Sequence, residues 1–121
     1  MRFTVVLAFE SLVMMKKLKS ILEKEEKFLG LKITNGTIVN EAFKDIKDVE
    51  DWSEIIDYKL NLEVPSDLEE SKKTNLNLDD YAAKEIERLK KELPDIVGTS
   101  YITTPYVIRI VLKASLLKRL K

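Results

Sequence analysis

The chain of 121 residues contains no cysteine and no histidine. The first absence removes disulfides, thiolate metal ligands and thiol nucleophiles together. The second removes the usual general base at neutral pH and the commonest metal ligand. Ser-His-Asp chemistry, imidazole zinc sites and phosphotransfer through histidine are therefore excluded within the chain, and any catalysis would fall to carboxylates, lysine or tyrosine. Glycine and proline number three each. The apolar run near the start, Phe3 to Phe9, is only seven residues long between Arg2 and Glu10. It is too short to span a bilayer and lacks a small-residue cleavage pattern. These features lead to the expectation of a cytoplasmic protein without cofactor or metal. Charged residues make up 35% of the chain, with lysine and glutamate dominant, which is a thermophile-like composition.

Those charges are segregated. Residues 1–32 carry seven cations and four acids, residues 33–97 nine cations and seventeen acids, and residues 98–121 five cations and no acid. A formally neutral protein is thus written as plus, minus, plus. Segregated charge of this kind suits selective docking and does not by itself name the partner.

Hydrophobic periodicity supplies the elements. Arg2 to Glu10 is apolar on both faces, which predicts a strand in the middle of a covered sheet. Ser11 to Leu29 shows helical spacing, with Ser11 as cap and Gly30 as stop. Asn35-Gly36 between short β-prone runs predicts a hairpin or one kinked strand. From Asn40 to Asp57, Phe43, Ile46, Val49, Trp52 and Ile55 or Ile56 recur by threes and fours, a helix with an acidic outer face. Asp57 to Val64 alternates as a half-buried strand, and the polar stretch from Pro65 to Asn77 reads as a loop, with a capping box at Ser66, Asp67, Leu68 and Glu69. Asn77 would cap a helix buried along Ala82, Ile86, Leu89 and Leu93 and closed by Pro94 and Gly98. Thr104-Pro105 is a good helix start, yet Tyr106 to Lys113 alternates and is rich in β-branched residues, which favours a strand there.

In that order the elements approximate one α+β domain over residues 1–121, with a ferredoxin-like split βαβ sheet, helices on one face and an inserted helix. No internal repeat and no low-complexity segment is evident. Such a likeness of architecture carries no function.

Three groups of side chains are candidates for a site. The cations Lys16, Lys17, Lys19, Arg109, Lys113, Lys118, Arg119 and Lys121 would form a basic surface for nucleic acid or another anion if the two ends of the chain meet. Phe43, Trp52, Ile55 and Ile56 would form an apolar anchor for a protein partner on the inserted helix. Asp79-Asp80, Asp45 with Asp48, and Glu69-Glu70 are the carboxylate clusters, placed where helix starts and helix exteriors favour acids anyway. The hydroxyl-rich run from Gly98 to Thr104 lacks the spacing of a phosphate loop.

The expectation is accordingly a non-enzymatic protein-interaction module, a subunit or regulator in a homo- or hetero-oligomer. The alternatives are a small nucleic-acid-binding protein using its basic terminal regions, or a domain that binds a small regulatory molecule.

Overall fold

The computed structural model describes residues 1–64, 68 and 70–120. They form five α-helices and one two-stranded antiparallel sheet, an α+β arrangement. The strands are β1 (Arg2–Ala8) and β2 (Ser71–Asn77), and the helices are α1 (Phe9–Leu22), α2 (Asn35–Asp45), α3 (Trp52–Asp57), α4 (Asp80–Val97) and α5 (Thr104–Arg119). Short 3-10 turns occupy Glu26–Phe28 and Ile46–Asp48. Among the described residues no helix is long and apolar enough to cross a membrane.

The element order is one strand followed by two helices, written twice. β1, α1 and α2 correspond to β2, α4 and α5, with α3 and its flanking segments joining the two units. Arg2 and Ser71 open the strands, and Asn35 and Thr104 open the second helices at the same separation in sequence. The buried stripe of α1, Ser11, Met15, Leu18 and Leu22, returns in α4 as Ala82, Ile86, Leu89 and Leu93. Ile33 and Ile102 are both buried just before threonines that cap α2 and α5, where the side chains of Thr34 and Thr103 accept from the amides of Thr37 and Tyr106. The units are intertwined rather than merely adjacent: β1 pairs with β2, α2 packs on α5, α1 reaches α5 and α4 reaches α2. Val5 pairs with Thr74, its own counterpart, so a local two-fold axis passes through the middle of the ribbon. The sequence expectation of no internal repeat is corrected for the order and spacing of the elements, not for residue identity. Burial matches at many equivalent positions but not at all, since Val13 and Met14 are buried where α4 has Lys84 and Glu85.

Several element assignments change for related reasons. Tyr106 to Lys113 lies within α5, not a strand. This helix contacts α1, α2, α3, α4 and β1, and a helix surrounded in that way is apolar nearly all round, which obscures the 3.6-residue period. Ser71–Asn77, read as loop, is β2, whose outward residues are polar because they meet solvent. Asp57 closes α3 and residues 58–64 form no strand; Leu60 and Leu62 pack against the core, while Tyr58 and Val64 of the same alternation are exposed. Asn35-Gly36 starts α2 instead of a hairpin. The helix expected over residues 40–57 is broken after Asp48, and α3 restarts where the Asp51 carboxylate accepts from the amides of Ser53 and Glu54.

Further differences are smaller. α1 begins at Phe9, with Ser11 buried inside it, and ends at Leu22, well before Gly30. Asp79 rather than Asn77 caps α4, which runs through Pro94 to Val97 before Gly98 adopts φ 85°. β1 is not covered on both sides: Val5 and Leu7 are buried, but Val6 on the opposite face is 56% exposed. Ser66, Asp67 and Glu69 of the expected capping box lie outside the described residues. Two strands rather than four are formed among the described residues, so the split βαβ plan is not the arrangement found; a sheet with helices on one face is.

The core is continuous across both units. Leu7 and Leu76 from the ribbon, Leu18 and Leu22 from α1, Phe43 from α2, Ile86 and Leu89 from α4, and Ile108 and Leu112 from α5 are all fully buried in it.

Candidate nucleic-acid interface

Alternation along the two strands sends every second side chain inward to that core and the others out. The outward set is Arg2, Thr4, Val6 and Ala8 from β1 and Ser71, Lys73, Asn75 and Asn77 from β2, and all eight are exposed. Among the described residues no helix covers this side. The register places Arg2 opposite Asn77, Thr4 opposite Asn75, Val6 opposite Lys73 and Ala8 opposite Ser71. The Thr4 hydroxyl donates to Asn75 Oδ1 at 2.8 Å, which leaves the Asn75 amide NH2 pointing its protons elsewhere. Across the seven residues of each strand there are three cations, Arg2, Lys72 and Lys73, and no carboxylate. Of these, Arg2 and Lys73 stand on the outward face, Lys72 follows the inward alternation opposite Leu7, and Glu70, Asp79 and Asp80 lie exposed just beyond the ends of β2.

The ribbon is held at a fixed height over the helices. Gly36 in the first turn of α2 lies so close to β2 that a Cβ there would sit 2.6 Å from the carbonyl oxygen of Asn77. Asn40 adds a side-chain clamp, donating to the Asn77 carbonyl at 3.3 Å and accepting from the Asp79 amide at 3.0 Å. At the same end of the ribbon, the N-terminal amine of Met1 donates to the Leu78 carbonyl at 2.8 Å.

The cations singled out from the sequence are distributed differently. Arg119 is only 15% exposed and is the centre of an ion cluster: its Nε donates to Asp45 Oδ2 at 2.6 Å, and it also pairs with Glu25 and, at 3.9 Å, with Glu41. Burial works against its charge, but hydrogen bonds and attraction from Asp45 and Glu25 outweigh it and raise its pKa further above the ordinary guanidinium value. Ser115 donates to the same Asp45 carboxylate at 2.7 Å, and Lys118 reaches Asp48 at 3.4 Å. Arg109 pairs with Glu10 at 3.5 Å and lies over the Tyr106 ring. Lys113 donates to the Ile56 carbonyl at 2.9 Å, and burial, with Arg109 nearby, pushes its pKa below the ordinary ammonium value. Lys16, Lys17 and Lys19 are exposed on α1. Lys121 lies outside the described residues. Lys118 and Arg119 thus lie against the acidic middle of the chain, whereas Arg109 pairs with Glu10 of the first block.

The expected apolar anchor is mostly core. Phe43 is fully buried, Trp52 is buried, and Ile55 and Ile56 are half-buried against the same cluster. Asp79 serves as a helix cap and Asp45 as an ion-pair partner. Among the described residues no three acidic side chains converge as they would around a metal ion.

A separate cleft of about 440 Å3 lies between α1, α5 and the extended segment after α3, with Phe9, Met14 and Leu60 among its apolar walls and Arg109 and Lys113 at its edge. It is open to one side.

Sequence reasoning missed the ribbon because half of it was read as loop. A signal for it did exist: Thr74, Leu76 and Leu78 alternate with Lys73, Asn75 and Asn77, and a capping aspartate follows. Compared with known proteins, the chain matches no protein family, no curated protein and no solved structure.

Proposed function

We propose that this protein binds duplex DNA by laying the open face of the β1–β2 ribbon in the major groove. The observation that carries the reading is the ribbon itself: two antiparallel strands, free of acid, with all eight outward side chains exposed and a rigid helical platform behind them. The major groove of B-form DNA is about 12 Å wide and admits a two-stranded ribbon, whose strands stand about 4.8 Å apart. Recognition by such a ribbon is an established mode of reading base edges. The side chains are of the types that do so: arginine for guanine, asparagine for adenine or guanine acceptors, and small apolar groups for the thymine methyl. A-form RNA hides its bases in a deep, narrow major groove, so double-stranded RNA is the poorer fit.

The two cations of the outward face, Arg2 and Lys73, set the expected electrostatics. A titration of labelled duplex by fluorescence anisotropy at several salt concentrations should give log Kd rising with log salt with a slope of about 2. Changing Arg2 and Lys73 together to Ala should weaken binding by about tenfold or more and lower that slope by about 2. Changing Lys17 and Lys19 to Ala, away from the ribbon, should leave both nearly unaltered. Binding that responds to the α1 lysines and ignores the ribbon would transfer the site to the basic surface expected from the sequence, and no duplex binding at low salt would end the reading.

A role as an accessory subunit or regulator is the second reading. Its support is the exposed apolar side chains of Tyr58 and Val64 beside the cleft, 53% and 56% exposed. It is favoured if a defined partner is lost on changing both to Ser while duplex binding is absent.

A further inference from the structure

The two-fold relation between the units ends at the surface of the ribbon. On the inner face, Leu7 and Leu76 are equivalent and both fully buried, and the second helices repeat their buried positions as Ile38 and Val107, Val39 and Ile108, Ala42 and Val111, Phe43 and Leu112. On the outer face none of the four equivalent pairs is kept: Arg2 stands where the other unit has Ser71, Thr4 where it has Lys73, Val6 where it has Asn75, and Ala8 where it has Asn77. Both halves lie in one chain, so each strand was free to change without its counterpart changing too. Two identical protomers meeting about a two-fold axis lack that freedom, which is why symmetric readers select palindromic sites.

The divergence has a direction. Because the strands are antiparallel, Arg2 and Asn77 share one end of the ribbon, next to Thr4 and Asn75, while Ala8 and Ser71 share the other, next to Val6 and Lys73. The first end presents the Arg2 guanidinium, the Asn75 NH2, whose oxygen is already engaged by Thr4 at 2.8 Å, and the Asn77 side-chain amide, which both donates and accepts. The Arg2 donors match the N7 and O6 acceptors of guanine, and an asparagine amide matches the N6 and N7 of adenine. The second end presents the methyl groups of Val6 and Ala8, which match the C5-methyl of thymine, with Lys73 as its one cation.

We infer that the DNA sequence recognised by this chain is asymmetric, with guanine read at the Arg2–Asn77 end of the ribbon and thymine-bearing pairs read at the Val6–Ala8 end. The inference rests on the ribbon being a DNA-binding surface, and it adds the class of sequence bound.

The test is selection from a random duplex library by the intact chain, followed by sequencing of the bound fraction. A motif without dyad symmetry is expected. Arg2→Ala and Asn77→Ala, made singly, should each relax selectivity at the same end of that motif by about tenfold, and Val6→Ser should relax it only at the other end. Converting β2 to the outward residues of β1, through Ser71→Arg, Lys73→Thr, Asn75→Val and Asn77→Ala, should turn the selected motif into a palindrome. If that fourfold variant does not fold, judged by circular dichroism, the three single variants still decide the matter. A palindromic motif from the unaltered chain overturns the inference. So does saturable duplex binding with no enriched sequence, a result that leaves the DNA-binding reading standing. Absence of binding to any duplex in the library at low salt removes both.

Discussion

Gly36 shows how one residue can be misread through the right chemistry. Glycine after asparagine signals a hairpin because both residues tolerate positive φ, yet here the residue is helical, and only Gly30 and Gly98 have positive φ among the described residues. What Gly36 provides is the absence of a side chain where α2 passes the backbone of Asn77. Alanine in a helix interior is ordinarily better than glycine by about 1 kcal/mol. At this position the sign is reversed, because the atoms a Cβ would meet are backbone of β2 and cannot swing aside. Gly36→Ala should lower stability by about 1 to 3 kcal/mol, measured by urea unfolding, and should loosen the ribbon from its platform. A more stable variant would show that β2 shifts freely, and would remove the argument that the ribbon is held rigid.

At the scale of elements, local pattern succeeded where an element has one wet and one dry face. α4 is of this kind: its stripe of Ala82, Ile86, Leu89 and Leu93 was legible in the sequence and is the buried set found. α5 defeated the same reasoning because it is the central helix. Eight of its residues are buried, and burial from several sides erases the periodic contrast on which a helix assignment relies. Its start was still legible in Thr104-Pro105, one position from the capping Thr103. The caps offer a test at this scale. Thr34→Ala and Thr103→Ala each remove a side-chain acceptor from an equivalent helix start, and each should cost about 0.5 to 2 kcal/mol. Thr103→Ala should be the milder of the two in hydrogen bonding, since its bond to the Tyr106 amide is 3.4 Å against 3.2 Å for Thr34 to Thr37, and Thr34 also meets the Thr37 hydroxyl. Urea unfolding of both variants measures this, and equal or inverted losses would show that helix packing rather than capping sets these ends.

For the whole molecule, the charge pattern of plus, minus, plus is an internal arrangement before it is a surface. Arg119 crosses from the basic end to Asp45, Glu41 and Glu25, joining α5 to the end of α2 and to the turn after α1. Replacing it with Met keeps the bulk but leaves three carboxylates without their shared cation. Arg119→Met should destabilise the fold by about 2 to 3 kcal/mol, seen as a lower urea midpoint with an unchanged m-value. A change under about 0.5 kcal/mol would place the cluster with solvent-exposed ion pairs of little weight. The amino-acid sequence alone established the chemistry the chain lacks, the α+β mixture, the one-sided α4 and the charge blocks, since each depends on residue identity or on short-range period. The repeated order of elements, the pairing of β1 with β2, the central place of α5 and the engagement of Lys118 and Arg119 by the acidic middle became visible only on folding. They depend on contacts between residues far apart in the chain, which no short-range pattern records.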